Sequence, residues 1–114
     1  MITEQRVRAL ALSFENAEEL PHFEKISFRV KKKIFATLNL KENRATLKLS
    51  ETDQSIFSLY GDKTTVYPVP NKWGKMGWTQ FRLDKIEEAF FYDALVAAYC
   101  EVAPKILAEK YLNS

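Results

Sequence analysis

Val7, Leu10, Ala11 and Phe14 stand at i, i+3, i+4 and i+7, the apolar stripe of an amphipathic helix over residues 3–14. Thr3 supplies a hydroxyl N-cap, and Glu4 lies on the favourable side of the helix dipole. Glu15 to Pro21 reads as an acidic connection. Period two then takes over. Ser27-Phe28-Arg29-Val30 is one strand. Lys33 to Leu40 is the next, with Ile34, Ala36, Leu38 and Leu40 on one face and Lys33, Phe35, Thr37 and Asn39 on the other. After a polar turn at Lys41-Glu42-Asn43, Arg44 to Leu49 alternates again. That is an antiparallel meander with one buried face, and it places Arg44, Thr46 and Lys48 together on the exposed side, beside Arg29.

Ser50-Glu51-Thr52-Asp53 opens a short helix that runs to about Tyr60 and is stopped by Gly61. Thr65 to Val69 reads as a strand bounded by Pro68 and Pro70, Asn71 to Gly77 as a loop, and Trp78 to Leu83 as a strand with Trp78 in the core. The spacing Asp84-x-x-Glu87 is a capping signature ahead of the longest helix, which extends to about Ala103. Pro104 either kinks that helix or opens a second one through Tyr111. The pattern predicts an α+β fold: one domain spanning residues 1–114, with N-terminal, middle and C-terminal helices packed on an antiparallel sheet of about five strands.

Composition narrows the class. The chain has 114 residues, 46% hydrophobic and 28% charged, with only three Gly and four Pro, which argues for a packed domain rather than a disordered one. No apolar run approaches the roughly 18 residues of a membrane span, and Met1 to Arg8 lacks the apolar core of a signal peptide. Cys100 is the only cysteine, so neither an intramolecular disulfide nor a multi-thiolate metal site is available. A cytoplasmic, bacterial protein without a cofactor is the expectation.

The net charge of +2 conceals a segregation. Residues 25–48 hold eight basic side chains against Glu42, and residues 63–85 hold five against Asp84. The three remaining stretches each carry a net −3. Two basic segments among three acidic ones suggest a surface able to meet a polyanion.

Two segments are more distinctive than a generic pattern. The first is Pro21-His22-Phe23-Glu24-Lys25, leading into Ser27-Phe28-Arg29-Val30-Lys31-Lys32-Lys33-Ile34-Phe35-Ala36-Thr37-Leu38. The second is Tyr67-Pro68-Val69-Pro70-Asn71-Lys72-Trp73-Gly74-Lys75-Met76-Gly77-Trp78-Thr79. With Glu42-Asn43-Arg44-Ala45, Leu47-Lys48-Leu49 and Ala103-Pro104-Lys105, they resemble the MmcQ/YjbR family of small bacterial proteins, from about Ala9 to Leu107 and in the expected order. The resemblance implies a compact α+β domain of the CyaY-like, secretion-chaperone-like kind, also described as a double-wing motif. Such proteins are commonly labelled DNA-binding, and no catalytic residue set comes with the family.

Nucleic-acid binding is the sharpest expectation from the residues themselves. The first basic hairpin offers Arg29, Lys31, Lys32, Lys33, Arg44 and Lys48 to phosphates. The second wing, Pro70 to Gly77, offers Lys72 and Lys75 around Trp73, an indole able to stack on an unpaired base or wedge into a groove. The bland readings stand beside these. Lysine runs often form solvated turns, and basic hairpins suppress edge-to-edge aggregation. Catalysis has thin support: His22 and Cys100 are single, no HExxH, CxxC or EF-hand spacing occurs, and no glycine-rich phosphate loop is present. Neither an enzymatic role nor a small-molecule substrate is expected. The alternative is a protein-interaction or homodimeric module, suggested by Phe90, Phe91, Tyr92, Leu95, Tyr99 and Val102 along the last long helix, for which a buried central helix is the simpler explanation.

Overall fold

Residues 1–112 are described in the computed structural model. Their elements follow in the order α1 (Glu4–Leu12), β1 (Ala17–His22), β2 (Lys25–Val30), β3 (Lys33–Asn39), β4 (Arg44–Lys48), α2 (Glu51–Phe57), β5 (Val66–Pro68), α3 (Lys72–Lys75), β6 (Trp78–Arg82), α4 (Glu88–Val102) and α5 (Lys105–Leu112). The strands form one sheet of order β1-β2-β3-β4-β6-β5, antiparallel at every pairing. The fold is α+β, as the pattern predicts, with a sixth strand.

That extra strand is β1, where an acidic connection was expected. It pairs with β2 from Ala17↔Val30 to His22↔Lys25 and forms one edge of the sheet. Four of its six residues are exposed, so it carries no apolar alternation to read. Its glutamates and Pro21 are the residues that protect a sheet edge from pairing with another chain.

A second departure concerns β3. Phe28 faces Ala36, but Arg29 faces Ile34, so Phe35 is an extra residue in a β-bulge. The bulge reverses the alternation at this point. Phe35 enters the core, fully buried, and Ile34 moves to the opposite face with Thr37. The strict period-two reading assigned both residues the other way, because it had no means of seeing one inserted residue. Lys31 and Lys32, which form the two-residue loop before the bulge, have φ of 50° and 70°. This is the backbone of a tight hairpin turn that usually takes Asn-Gly.

All the longer helices gather on one side. α4 packs on β3 and β4, α5 packs on α4, and α2 reaches the same face through Phe57, which meets Phe81 of β6 and Phe90 of α4 edge-on. At the other end Phe14 stacks on Tyr99 with ring centroids 4.8 Å apart, and Phe35 and Tyr111 meet this pair edge-on. The Tyr99 hydroxyl donates to the Glu15 carbonyl at 2.6 Å, and burial pushes its pKa up to about 12. The aromatic residues of α4 that suggested a partner surface are thereby engaged inside the chain.

Helix ends largely follow the sequence signals. Thr3 accepts from the Arg6 amide and Ser50 from the Asp53 amide. The Asp84–Glu87 signature is not used: α4 starts after Glu87 without a side-chain cap, and Asp84 pairs instead with Arg82 at 3.2 Å. Pro104 ends α4 and opens α5, whose first turn tolerates its missing N–H.

Candidate functional site

Directly opposed residues of neighbouring strands share a face. One such row runs Leu20, Ser27, Thr37, Thr46, Gln80 and Tyr67 across all six strands, on the side away from the long helices. The single turn of α3 and its flanking loop border this side. The face is concave and encloses a cleft of about 470 Å³. Thr37, Thr46, Gln80 and Ile34 form its floor. Trp73, Trp78, Val69 and Asn71 line it from the β5–β6 side, and His22 and Lys25 from the β1–β2 hairpin.

The tryptophan wall is built by its neighbours in sequence. Asn71 caps α3, its side-chain oxygen accepting from the Trp73 amide at 2.9 Å. Gly74 packs so tightly that a Cβ would lie 1.9 Å from the Val69 carbonyl oxygen. Gly77, at φ 106°, would bring a Cβ equally close to the Leu49 oxygen, and only glycine adopts that backbone easily. Gln54 reaches over from α2 to donate to the Gly74 carbonyl at 2.9 Å and the Thr79 hydroxyl at 3.1 Å. The run Trp73-Gly74-Lys75-Met76-Gly77-Trp78 is thus a compact support for two indoles. Trp78, expected in the core, is half-buried and lines the cleft, because it starts β6 in phase with Gln80. Trp73 is 49% exposed, with the Lys72 ammonium 5.9 Å from its ring centre.

The basic residues singled out from sequence do not all converge. Arg29 and Arg44 lie on the open face by register. Arg29 donates to the Ser27 hydroxyl at 3.0 Å. Arg44 is more committed, donating to the Tyr67 hydroxyl at 2.9 Å and Gln80 Oε1 at 3.2 Å and pairing with Glu42, whose carboxyl it holds below the usual range. Lys31 and Lys32 are exposed at the hairpin tip. Lys33 stands opposite buried Val30, so it leaves the sheet on the helical side. The Lys48 ammonium also turns that way, 3.6 Å from Glu101 of α4. Lys72 and Lys75 flank Trp73 and are exposed.

Several cleft residues were not found from sequence: Lys25, Thr37, Thr46 and Gln80. For Thr37, Thr46 and Gln80 the signal lay in the phase of the strands, each being the polar alternate of buried neighbours. His22 lines the cleft, whereas Cys100 lies across the sheet, half-buried between α4 and α5, where its thiol contacts the Ala108 carbonyl at 3.7 Å and burial pushes its pKa up. Among the described residues no cluster of three His, Cys, Asp or Glu side chains could hold a metal ion, and no helix is long and apolar enough to cross a membrane.

Comparison with known proteins agrees with this architecture. The family model YjbR matches residues 12–101. The chain belongs to the YjbR family. The cleft-lining residues from His22 to Gln80, and both glycines of the tryptophan support, fall inside the YjbR match. Among solved structures, the crystal structure of Deinococcus radiodurans protein DR2400, which carries the family-model domain DUF419, superposes with a TM-score of 0.79 at 18% identity, covering 97% of this chain and 88% of that one. At that identity the likeness speaks for the YjbR fold alone. Comparison with curated proteins gives no match.

Proposed function

We propose that this YjbR-family domain is a non-enzymatic nucleic-acid-binding module whose contact surface is the open face of the sheet, together with the Lys31-Lys32 tip and the Lys72–Lys75 turn. The observation that carries the reading is the composition of the cleft. Two tryptophans, a lysine, a histidine and neutral polar groups line it, and among the described residues no carboxylate does. An uncovered antiparallel sheet with aromatic residues and surrounding cations matches the requirements of a polyanion that also carries flat π-faces. The turn at Lys31-Lys32 adds independent support. Holding two lysines in left-handed backbone costs about 1 kcal/mol or more at each residue relative to a glycine, so the charges are retained at a site where they weaken the fold.

The protein-interaction alternative loses its main support, because the aromatic side chains of α4 are taken up by Phe14, Phe57, Tyr60 and Phe81. The test is a fluorescence-anisotropy titration of labelled DNA at a series of salt concentrations, with Lys31→Glu/Lys32→Glu beside the natural protein. Saturable binding should weaken linearly in log–log salt, and the variant should bind more weakly with a shallower slope. Absence of binding at low salt would overturn the reading.

A further inference from the structure

Resting on the nucleic-acid reading, we infer that the cleft selects single strands by seating one unpaired base over the Thr37–Thr46 floor against Trp73, with an adjacent base stacking on Phe23. The polar groups of the floor are free for a ligand. No hydrogen bond within the described chain uses the Thr37 or Thr46 hydroxyls or either indole N–H. Gln80 spends its oxygen on Arg44, which turns its two amide protons toward other acceptors. The cleft therefore presents mostly donors, matched to the carbonyl and ring-nitrogen acceptors on a base edge. Its volume of about 470 Å³ admits a base and its sugar, not a double helix. Paired and stacked bases also present no free face to Trp73.

Phe23 extends the track. It is 95% exposed, at the tip of the hairpin whose flanking residues His22 and Lys25 line the cleft. It also adopts φ 59°, a left-handed conformation in a two-residue loop position suited to glycine. Among the described residues its one ring contact is with its neighbour His22, at 4.9 Å. A bulky apolar residue, strained and in solvent, does nothing for the core, and as an outer stacking surface it has a use.

The experiment compares labelled oligothymidylate, an abasic oligomer of the same length and charge, and a duplex, at fixed salt, by anisotropy. Oligothymidylate should bind at least roughly tenfold more tightly than the abasic strand or the duplex, in keeping with about 1–3 kcal/mol per stacked base. Comparing oligouridylate with oligodeoxyuridylate, which differ only at the 2′ position, then identifies the preferred sugar. Trp73→Ala should abolish the preference for bases over the abasic strand, and Trp73→Phe should restore part of it. Phe23→Gly should raise the melting temperature while weakening oligothymidylate binding, a combination that a structural role for Phe23 does not produce. Equal affinity for the abasic and thymidine strands, each falling with salt, would overturn base seating and leave phosphate binding standing. Duplex binding as tight as single-strand binding would also overturn it. Failure of every strand to bind at low salt would overturn both readings.

Discussion

Phe81 and Gln80 are neighbours on β6, and they lead opposite lives. Phe81 is fully buried between Phe57 and Phe91. Gln80 lies in a cleft whose threonines and indoles have hydrogen-bonding capacity to spare. The helical face is closed: its aromatic residues interlock, Tyr99 bonds back to the main chain, and even Lys48 finds Glu101. The open face keeps its shape through the close backbone approaches at Gly74 and Gly77 and through polar bonds such as Arg44 to Tyr67 and Gln80, rather than through interlocked aromatic rings. Stability and recognition are therefore assigned to different sides of the same strands, and substitutions can separate them.

The largest separation comes from the closed face. Phe81→Ala should lower unfolding free energy by about 3–5 kcal/mol, seen as an earlier urea midpoint. Gly77→Ala is next. A Cβ driven against the Leu49 oxygen should cost about 1–3 kcal/mol, and because it displaces Trp78 it should also shift the tryptophan emission. Alkaline titration probes the closed face in another way. Tyr99 keeps its proton up to about pH 12 when folded, whereas an exposed tyrosine loses it near pH 10.0. Its contribution to stability is complete below pH 10 and is lost between pH 10 and 12, since the unfolded chain then releases the proton first. Tyr99→Phe should flatten that part of the stability profile measured by circular dichroism.

Smaller effects belong to the open side. Lys31→Asn/Lys32→Gly relieves two left-handed lysines and should stabilise the fold by roughly 1 kcal/mol, while reducing the salt slope of any nucleic-acid binding. Trp73→Ala should change stability least, by within about 0.5 kcal/mol, because half of its surface already meets water. If Trp73→Ala unfolded the protein, the division between the two faces would be wrong.

The same division explains what could be read from the chain. Helices α1, α4 and α5 and strands β2, β4 and β6 announce themselves through burial, because one face of each is apolar, whereas α2, with no fully buried residue, announces itself through its Ser50 cap. β1 does not: an exposed edge strand written in glutamate and proline has a loop's composition. Nor does the bulge at Phe35, a single inserted residue that leaves composition untouched while exchanging the faces of Ile34 and Phe35. The cleft was legible in fragments. Trp73, Lys72 and Lys75 stood out, but the threonines and Gln80 are ordinary polar alternates until the sheet's curvature sets them opposite the tryptophans. Lys33 and Lys48 looked like members of one basic cluster because charge along a sequence does not reveal which side of a strand each ammonium leaves from.

The most direct measurement is amide chemical-shift mapping by NMR as a single-stranded oligonucleotide is titrated into the labelled protein at low salt. The account predicts progressive shifts at Thr37, Thr46, Gln80 and the Trp73 and Trp78 indoles, spreading to Lys31 and Lys32, with α4 and α5 unmoved. Shifts centred on α4 and α5, or none at all, would contradict it.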